Sequence, residues 1–145
     1  EASSHFDFDL GLAVEQSSQN PVYYVQYAHA RICSILSNLA AEGISPKAVT
    51  GKELSLLTAP EEIELIRFIA SYPNEIIEAA KNYDPSRMTR YASELASLFH
   101  KFYNACRVKC GEEDLMQARL ALCLATKTVL SNLLGMLHIS APVTM

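Results

Sequence analysis

The sequence lacks tryptophan and has only five glycines among its 145 residues. These glycines are not clustered, so no glycine-rich loop can hold a phosphate, and the G-x-x-x-x-G-K, G-x-G-x-x-G and H-E-x-x-H motifs are all absent. No apolar run is long enough to span a membrane, and no basic region followed by an apolar run begins the chain. We therefore expect no catalytic residue, no membrane span and no signal peptide.

The composition is that of an ordinary globular domain. Hydrophobic residues make up 50% of the chain and charged residues 19%, which excludes an intrinsically disordered protein. The length predicts one domain, or one domain with a tail. Because the chain starts at Glu1 rather than at methionine, we expect a processed product or, in preference, a piece of a longer protein.

The spacing of the four cysteines does not favour a metal site. Of the four cysteines, only Cys106 and Cys110 are close, at one helical turn rather than at the C-x2-C spacing of zinc sites. We expect reduced, mostly buried thiols, no bound metal and a cytoplasmic location.

The charge is unevenly distributed. The net charge is -4, but residues 1–20 carry four acidic side chains and no lysine or arginine. The rest of the chain carries 12 basic and 12 acidic side chains, and residues 87–109 hold five basic groups against only Glu94. Affinity for phosphates follows local charge, so this segment predicts a local basic surface.

Capping residues predict an all-α fold. Asn20 and Pro21 are typical of the N-cap and first position of a helix, which we expect to end near Glu42, before Gly43. A loop over residues 43–51 follows, and further helices are predicted over residues 60–72, 73–82, 85–109 and 112–138. We therefore expect a bundle of about five helices, with its core formed by the three longest.

Aromatic and cationic residues share the edges of two predicted helices. Tyr24, Tyr27, Arg31 and Asn38 lie along the edge of the first apolar stripe, and Tyr103 and Arg107 are four residues apart on the later helix. A ring beside a guanidinium suits an unstacked base and its phosphate. The alternative is that the tyrosines complete the core edge and that Arg31 pairs with an acid. His29 and His100 have no catalytic partner at a recognisable spacing, and we expect structural roles for both.

The run NPVYYVQYAHAR, Asn20 to Arg31, resembles a signature of arginyl-tRNA synthetases, where it opens the C-terminal all-α, DALR-type anticodon-binding domain. Similarity continues upstream in FDFDLGLAVEQ, from residue 6 to 16, and downstream in residues 91–106, 118–130 and 137–145. The resemblance implies that residues 1–19 are a junction with a missing catalytic domain and that residues 20–145 are the anticodon-binding domain.

The resemblance also implies an enzyme of which this chain is one part. The family attaches arginine to its tRNA using ATP and magnesium, in a catalytic domain with HIGH-type and KMSK-type motifs. Neither motif occurs in this chain, so the resemblance implies no catalytic residue and no cofactor here. The implied partners are the anticodon loop of an arginine-specific tRNA and the catalytic domain of the same parent chain.

Several residues align with family positions near the anticodon. Arg107 stands where some members have an aromatic residue, so a guanidinium plane would replace a ring there. The C-terminal methionine falls where the family's terminus approaches the anticodon. With Tyr27, which its spacing places beside Arg31, the predicted RNA-binding set consists of Tyr24, Tyr27, Arg31, Tyr103, Arg107 and Met145. An all-α module that binds a partner helix in a groove is the alternative function.

Overall fold

The computed structural model describes Asp7, residues 9–17 and residues 19–145, and all regular elements in these residues are α-helices. Four helices are long and two are short, where the sequence predicted about five in all. The all-α prediction is confirmed. The helices are α1 (Leu10–Val14), α2 (Pro21–Ala41), α3 (Gly51–Leu54), α4 (Pro60–Lys81), α5 (Ser86–Ala105) and α6 (Glu113–Met136).

The predicted boundaries of the first long helix, α2, are confirmed. The Asn20 side-chain oxygen accepts hydrogen bonds from the backbone N–H groups of Val22 and Tyr23 at 3.0 and 3.4 Å. The helix ends at Ala41, and Gly43 follows in the left-handed region with φ of 79°. Glycine adopts that conformation without steric cost, so it terminates the helix.

Part of the predicted tail, including Phe6 at the start of its family-like segment, lies outside the described residues. In the described part, α1 buries no side chain, and its Leu10 and Val14 are 70% and 73% exposed. The Asn20 amide nitrogen donates to the carbonyls of Ala13 and Glu15, at 3.2 and 3.0 Å. A domain boundary after residue 19 stays a prediction.

The predicted helix break at Pro73 is wrong, because α4 continues through this proline. A proline inside a helix removes one N–H donor and crowds the carbonyls of the preceding turn. The carbonyl left without a backbone donor is that of Ile69; next to it, the Phe68 carbonyl accepts hydrogen bonds from Ser71 Oγ at 2.7 Å and from the Tyr91 hydroxyl of α5. The rings of Phe68 and Tyr91 also stack, with centres 4.3 Å apart. Packing against α5 therefore supports one long helix where local sequence predicts two.

The later helix, α5, is shorter than predicted, ending at Ala105 instead of Lys109. Cys106 has extended backbone angles, so the chain leaves the helix there. Arg119 of α6 holds the released segment, because its Nη1 donates to the Arg107 carbonyl at 2.8 Å and its Nε donates to Glu62 at 2.7 Å. Arg107 therefore lies on a connecting segment, fixed from the side of α6.

The core lies between α2, α4, α5 and α6. Side chains from all four helices are fully buried in it, among them Ile32, Leu65, Leu95, Phe99, Phe102, Leu120, Leu130 and Leu133. None of the described helices is both long and apolar enough to pass through a lipid bilayer. The packing of α2 against α5 decides how their two edges meet.

Candidate nucleic-acid interface

The edges of α2 and α5 meet through aromatic rings. The His100 ring of α5 lies 5.1 Å from the Tyr24 ring and 5.8 Å from the Tyr27 ring. Tyr27 stacks on Tyr23 at 6.5 Å, with the two ring planes 10° apart. We call the set formed here the aromatic cluster: Tyr23, Tyr24, Tyr27, Phe99, His100 and Tyr103.

Arg31 joins the two sides of the aromatic cluster. Its guanidinium carbon lies 5.7 Å from the centre of the Tyr27 ring and 5.1 Å from that of the Tyr103 ring. Within residues 9–17 and 19–145, no acidic side chain forms an ion pair with Arg31. The alternative of an acid-paired Arg31 is therefore wrong for this part of the chain. Because the Arg31 guanidinium is exposed and packs on the faces of two rings, its N–H groups remain available to donate hydrogen bonds to an anion.

His100 is the centre of the cluster, a position that the sequence did not predict. Burial lowers the pKa of the imidazole, and the positive charge of Arg31 lowers it further. Its Nε2 is buried and has no hydrogen-bond partner among the described residues. This buried position beside a positive charge favours the neutral form of His100, whose ring packs against both Tyr24 and Tyr27. The spacing of His100 and Tyr103, three residues apart on α5, is the signal that places these two rings on one face.

Tyr103 and Arg107 border a groove of about 440 Å³ between the C-terminal halves of α2 and α5. Tyr103 is half-buried and stacks on Phe99, with ring centres 6.1 Å apart. Arg107 is exposed, and its side chain has no ion pair in the described part of the chain. The groove therefore begins at the aromatic cluster and continues past Arg107.

Met145 belongs to a separate segment that is anchored on α2. His29 Nδ1 donates to the Pro142 carbonyl at 2.8 Å. Gln26 Nε2 donates to the carbonyl and to the hydroxyl oxygen of Ser140, at 2.9 and 3.1 Å. Met145 itself is half exposed. Of the six predicted site residues, the structure thus groups Tyr24, Tyr27, Arg31 and Tyr103, sets Arg107 beside them and holds the Met145 segment through other residues of α2.

The basic surface is smaller than the charge count in the sequence indicates. Three of the five basic residues between 87 and 109 form ion pairs: Arg87 with Glu75, Arg90 with Asp84 and Lys109 with Glu42. Among the described residues, Lys101 and Arg107 have no such pair. Arg31 and Arg107 are thus two unpaired cations at the aromatic cluster and the groove, while Lys52, Arg67, Lys101 and Lys127 are unpaired elsewhere in the described residues.

The cysteines and acidic residues do not form a metal site where the chain is described: no three His, Cys, Asp or Glu side chains are grouped to hold an ion. All four cysteines are free thiols. Burial raises the pKa of Cys123 to about 12 and raises that of Cys106 as well, which makes both thiols poor nucleophiles.

A sequence profile described as the DALR anticodon binding domain matches residues 25–145, which include the aromatic cluster from Tyr27 onward, the groove and the C-terminal segment. The chain belongs to the DALR anticodon-binding domain family. Membership confirms the resemblance and accounts for the all-α architecture.

Curated relatives and solved structures agree with this family. An arginine–tRNA ligase of Ruminiclostridium cellulolyticum is 54% identical over 97% of the chain, and one of Acetivibrio thermocellus is 53% identical over the same share. The chain spans a quarter, 25%, of each of these relatives. The arginyl-tRNA synthetase structure of Thermus thermophilus is 30% identical over 96% of the chain and 23% of its own, with a TM-score of 0.79. That of Plasmodium falciparum is 26% identical over 98% and 24%, with a TM-score of 0.82.

Proposed function

We propose that this DALR domain binds the anticodon loop of an arginine-specific tRNA through the aromatic cluster, Arg31, Arg107 and Met145. The rings of Tyr24, Tyr27 and Tyr103 would supply stacking faces for unstacked bases, and the two guanidinium groups would bind phosphates or base edges.

The position of Arg31 is the observation that carries this proposal. It lies on the faces of Tyr27 and Tyr103, and no described acidic side chain neutralises it. Arg67 of α4 is also exposed and has no ion pair among the described residues, so the two ring faces are what distinguish Arg31: they place stacking surface beside a guanidinium whose donors stay available. The family name supports anticodon binding, and the names of the relatives support arginine-specific tRNA over the alternative of a protein-interaction module.

We also infer that the chain acts as the anticodon-binding part of an arginine–tRNA ligase. The relatives that match over 97% of this chain carry that name and are about four times as long. The catalytic domain, with ATP and magnesium, would lie in the part of the parent protein that this chain does not span. A cytoplasmic location belongs to the same proposal.

A salt titration of RNA binding tests the site. Arg31→Ala is compared with the unchanged chain by fluorescence anisotropy, using an arginine-specific tRNA transcript. We expect weaker binding at all salt concentrations. If Arg31 contacts a phosphate, the slope of log affinity against log salt should also fall by roughly 0.7 to 0.9, the value for one lost contact.

Arg67→Ala is the matched control. Arg67 is also an exposed helical arginine, but it lies on α4, beside Pro60, Ile63 and Phe68. Its removal should leave affinity within twofold, apart from a small general charge effect. Equal losses for the two variants, or binding that is indifferent to salt, would contradict the proposal. The second result would favour an apolar protein-interaction surface.

A further inference from the structure

We propose that the groove between α2 and α5 holds one unstacked nucleobase of the bound RNA, and that Asn38 and Asn104 read the edge of that base. This inference rests on the proposed function, because it identifies which residues of the RNA-binding surface determine specificity rather than affinity.

The groove is large enough to hold a base and has a mixed lining. Its volume is about 440 Å³, within the usual range of small-molecule sites, and both apolar and polar side chains line it. Ile35 and Leu39 of α2 and Val108 of the connecting segment contribute apolar surface. Tyr103 lines one side and offers a ring on which a base can stack.

Two carboxamides border this groove from opposite helices. Asn38 belongs to α2, and Asn104 belongs to α5, directly after Tyr103. Both are exposed, and neither amide forms a hydrogen bond with another of the described residues. A carboxamide presents one acceptor and two donors, which matches the mixed donors and acceptors on a base edge.

The groove is continuous with the aromatic cluster. Asn38 follows Arg31 by seven residues and therefore lies two helical turns, about 10.5 Å, further along the same line of α2. Tyr103 is shared, because its ring contacts Arg31 and also lines the groove. A strand whose phosphate contacts Arg31 can therefore place a neighbouring base in the groove, with Arg107 beside it.

The amides and the cations at the groove have different roles in this proposal. Lys109 lines the groove but is paired with Glu42. Arg107 is exposed and can bind a phosphate or a base edge, so its removal alone does not test base readout. Asn38 and Asn104 carry no charge, and each can both donate to and accept from a base edge, so their hydrogen bonds depend on which base is bound.

A double-mutant cycle between protein and RNA tests this assignment. Asn104→Leu and Asn38→Leu keep the approximate side-chain size but remove the polar groups. The tRNA transcript is changed one anticodon-loop nucleotide at a time, to another base and to an abasic site. We expect the unchanged chain to discriminate roughly 5- to 150-fold at one position, and each variant to lose most of that ratio. The abasic substitution at that position should then cost less in the variants than in the unchanged chain.

Asn132→Leu, an exposed asparagine of α6, is the matched control and should leave the ratio unchanged. Melting curves establish that each variant is folded, and Asn→Ala variants replace any that is not. Unchanged discrimination in both groove variants, with RNA binding still dependent on Arg31, overturns this inference and leaves the proposed function standing. A chain that binds no RNA overturns both.

Discussion

The guanidinium carbon of Arg31, on α2, lies 5.1 Å from the centre of the Tyr103 ring, on α5. These residues are far apart in sequence, and local spacing predicts a helix-edge position for each of them separately. Their contact means that the two edges form one surface instead of two. Because Arg31 also lies over Tyr27, a single cation joins a ring from each helix.

Replacement of Tyr27 by alanine should weaken RNA binding without unfolding the domain. The ring lies beside Arg31 and His100 at the edge of the core. Its removal should therefore take away surface on which a base can stack and little of the packing in the core. Stacking on an aromatic ring contributes about 1–3 kcal/mol per base, so losing it should raise the dissociation constant roughly 5- to 150-fold. Anisotropy titration at fixed salt measures it.

Two variants calibrate that result. Tyr27→Phe keeps the stacking face and should bind within about threefold of the unchanged chain. Tyr83→Ala removes a tyrosine that is 93% exposed beyond the end of α4 and should have no effect. If Tyr27→Ala binds as tightly as Tyr83→Ala, the ring is not part of the RNA site.

His100→Phe should change the pH dependence of stability. In the folded chain, burial and Arg31 hold the pKa of His100 below its ordinary value of 6.5. As pH falls through 6.5, the imidazole therefore takes up a proton in the unfolded chain before it does so in the folded one, which favours unfolding. The unchanged chain should lose stability relative to His100→Phe below pH 6.5, and the difference should be constant above it. Urea unfolding from pH 8 to pH 5 measures this difference, and a pH-independent difference would contradict the prediction.

Arg119→Ala should be strongly destabilising. Arg119 is 14% exposed and pairs with Glu62, which is 1% exposed and also accepts a hydrogen bond from the backbone N–H of Ala59. Loss of the arginine leaves a buried carboxylate uncompensated, which typically costs about 3–5 kcal/mol of unfolding free energy. Replacing both partners by methionine should cost less than Arg119→Ala alone. Arg90→Ala, which breaks the exposed pair with Asp84, should cost far less in the same urea titration.

Two deletions in the C-terminal segment should affect stability and RNA binding differently. Deletion of residues 140–145 removes the acceptors of Gln26 and His29 and should lower the melting temperature. Deletion of Met145 alone removes none of these bonds, so the melting temperature should not change. If Met145 approaches the RNA as proposed, that deletion should still weaken binding. Calorimetry and anisotropy on the same two deletions provide the comparison, and unchanged RNA affinity after the single deletion would remove Met145 from the site.

The parts of the fold that local chemistry determines could be predicted from the sequence. The N-cap at Asn20 and the left-handed glycine at residue 43 depend only on neighbouring residues, so the limits of α2 were predictable. The break expected at Pro73 was wrong, and the contacts that support the continuous helix come from α5: the Tyr91 hydroxyl donates to the Phe68 carbonyl of α4, and the Tyr91 ring stacks on the Phe68 ring. Such contacts depend on how helices pack, which the periodicity of one helix does not specify.

The same distinction applies to the candidate site. Spacing placed Tyr24, Tyr27 and Arg31 on one edge because they share one helix. It could not place His100 between two tyrosines of another helix, since that position follows from the packing of α5 on α2. Nor could it predict that Arg107 lies outside α5, because Arg119 fixes the connecting segment only once α6 has docked.

The hydrogen bonds from Gln26 to Ser140 and from His29 to Pro142 connect residues that are 114 and 113 positions apart. During synthesis, α2 emerges from the ribosome more than a hundred residues before the segment that covers these two side chains. Until that segment has been synthesised, Gln26 and His29 lack these partners, so this side of α2 cannot be completed earlier. A chain truncated before Ser140 would contain every helix of the described residues but could not form the hydrogen bonds that join the C-terminal segment to α2.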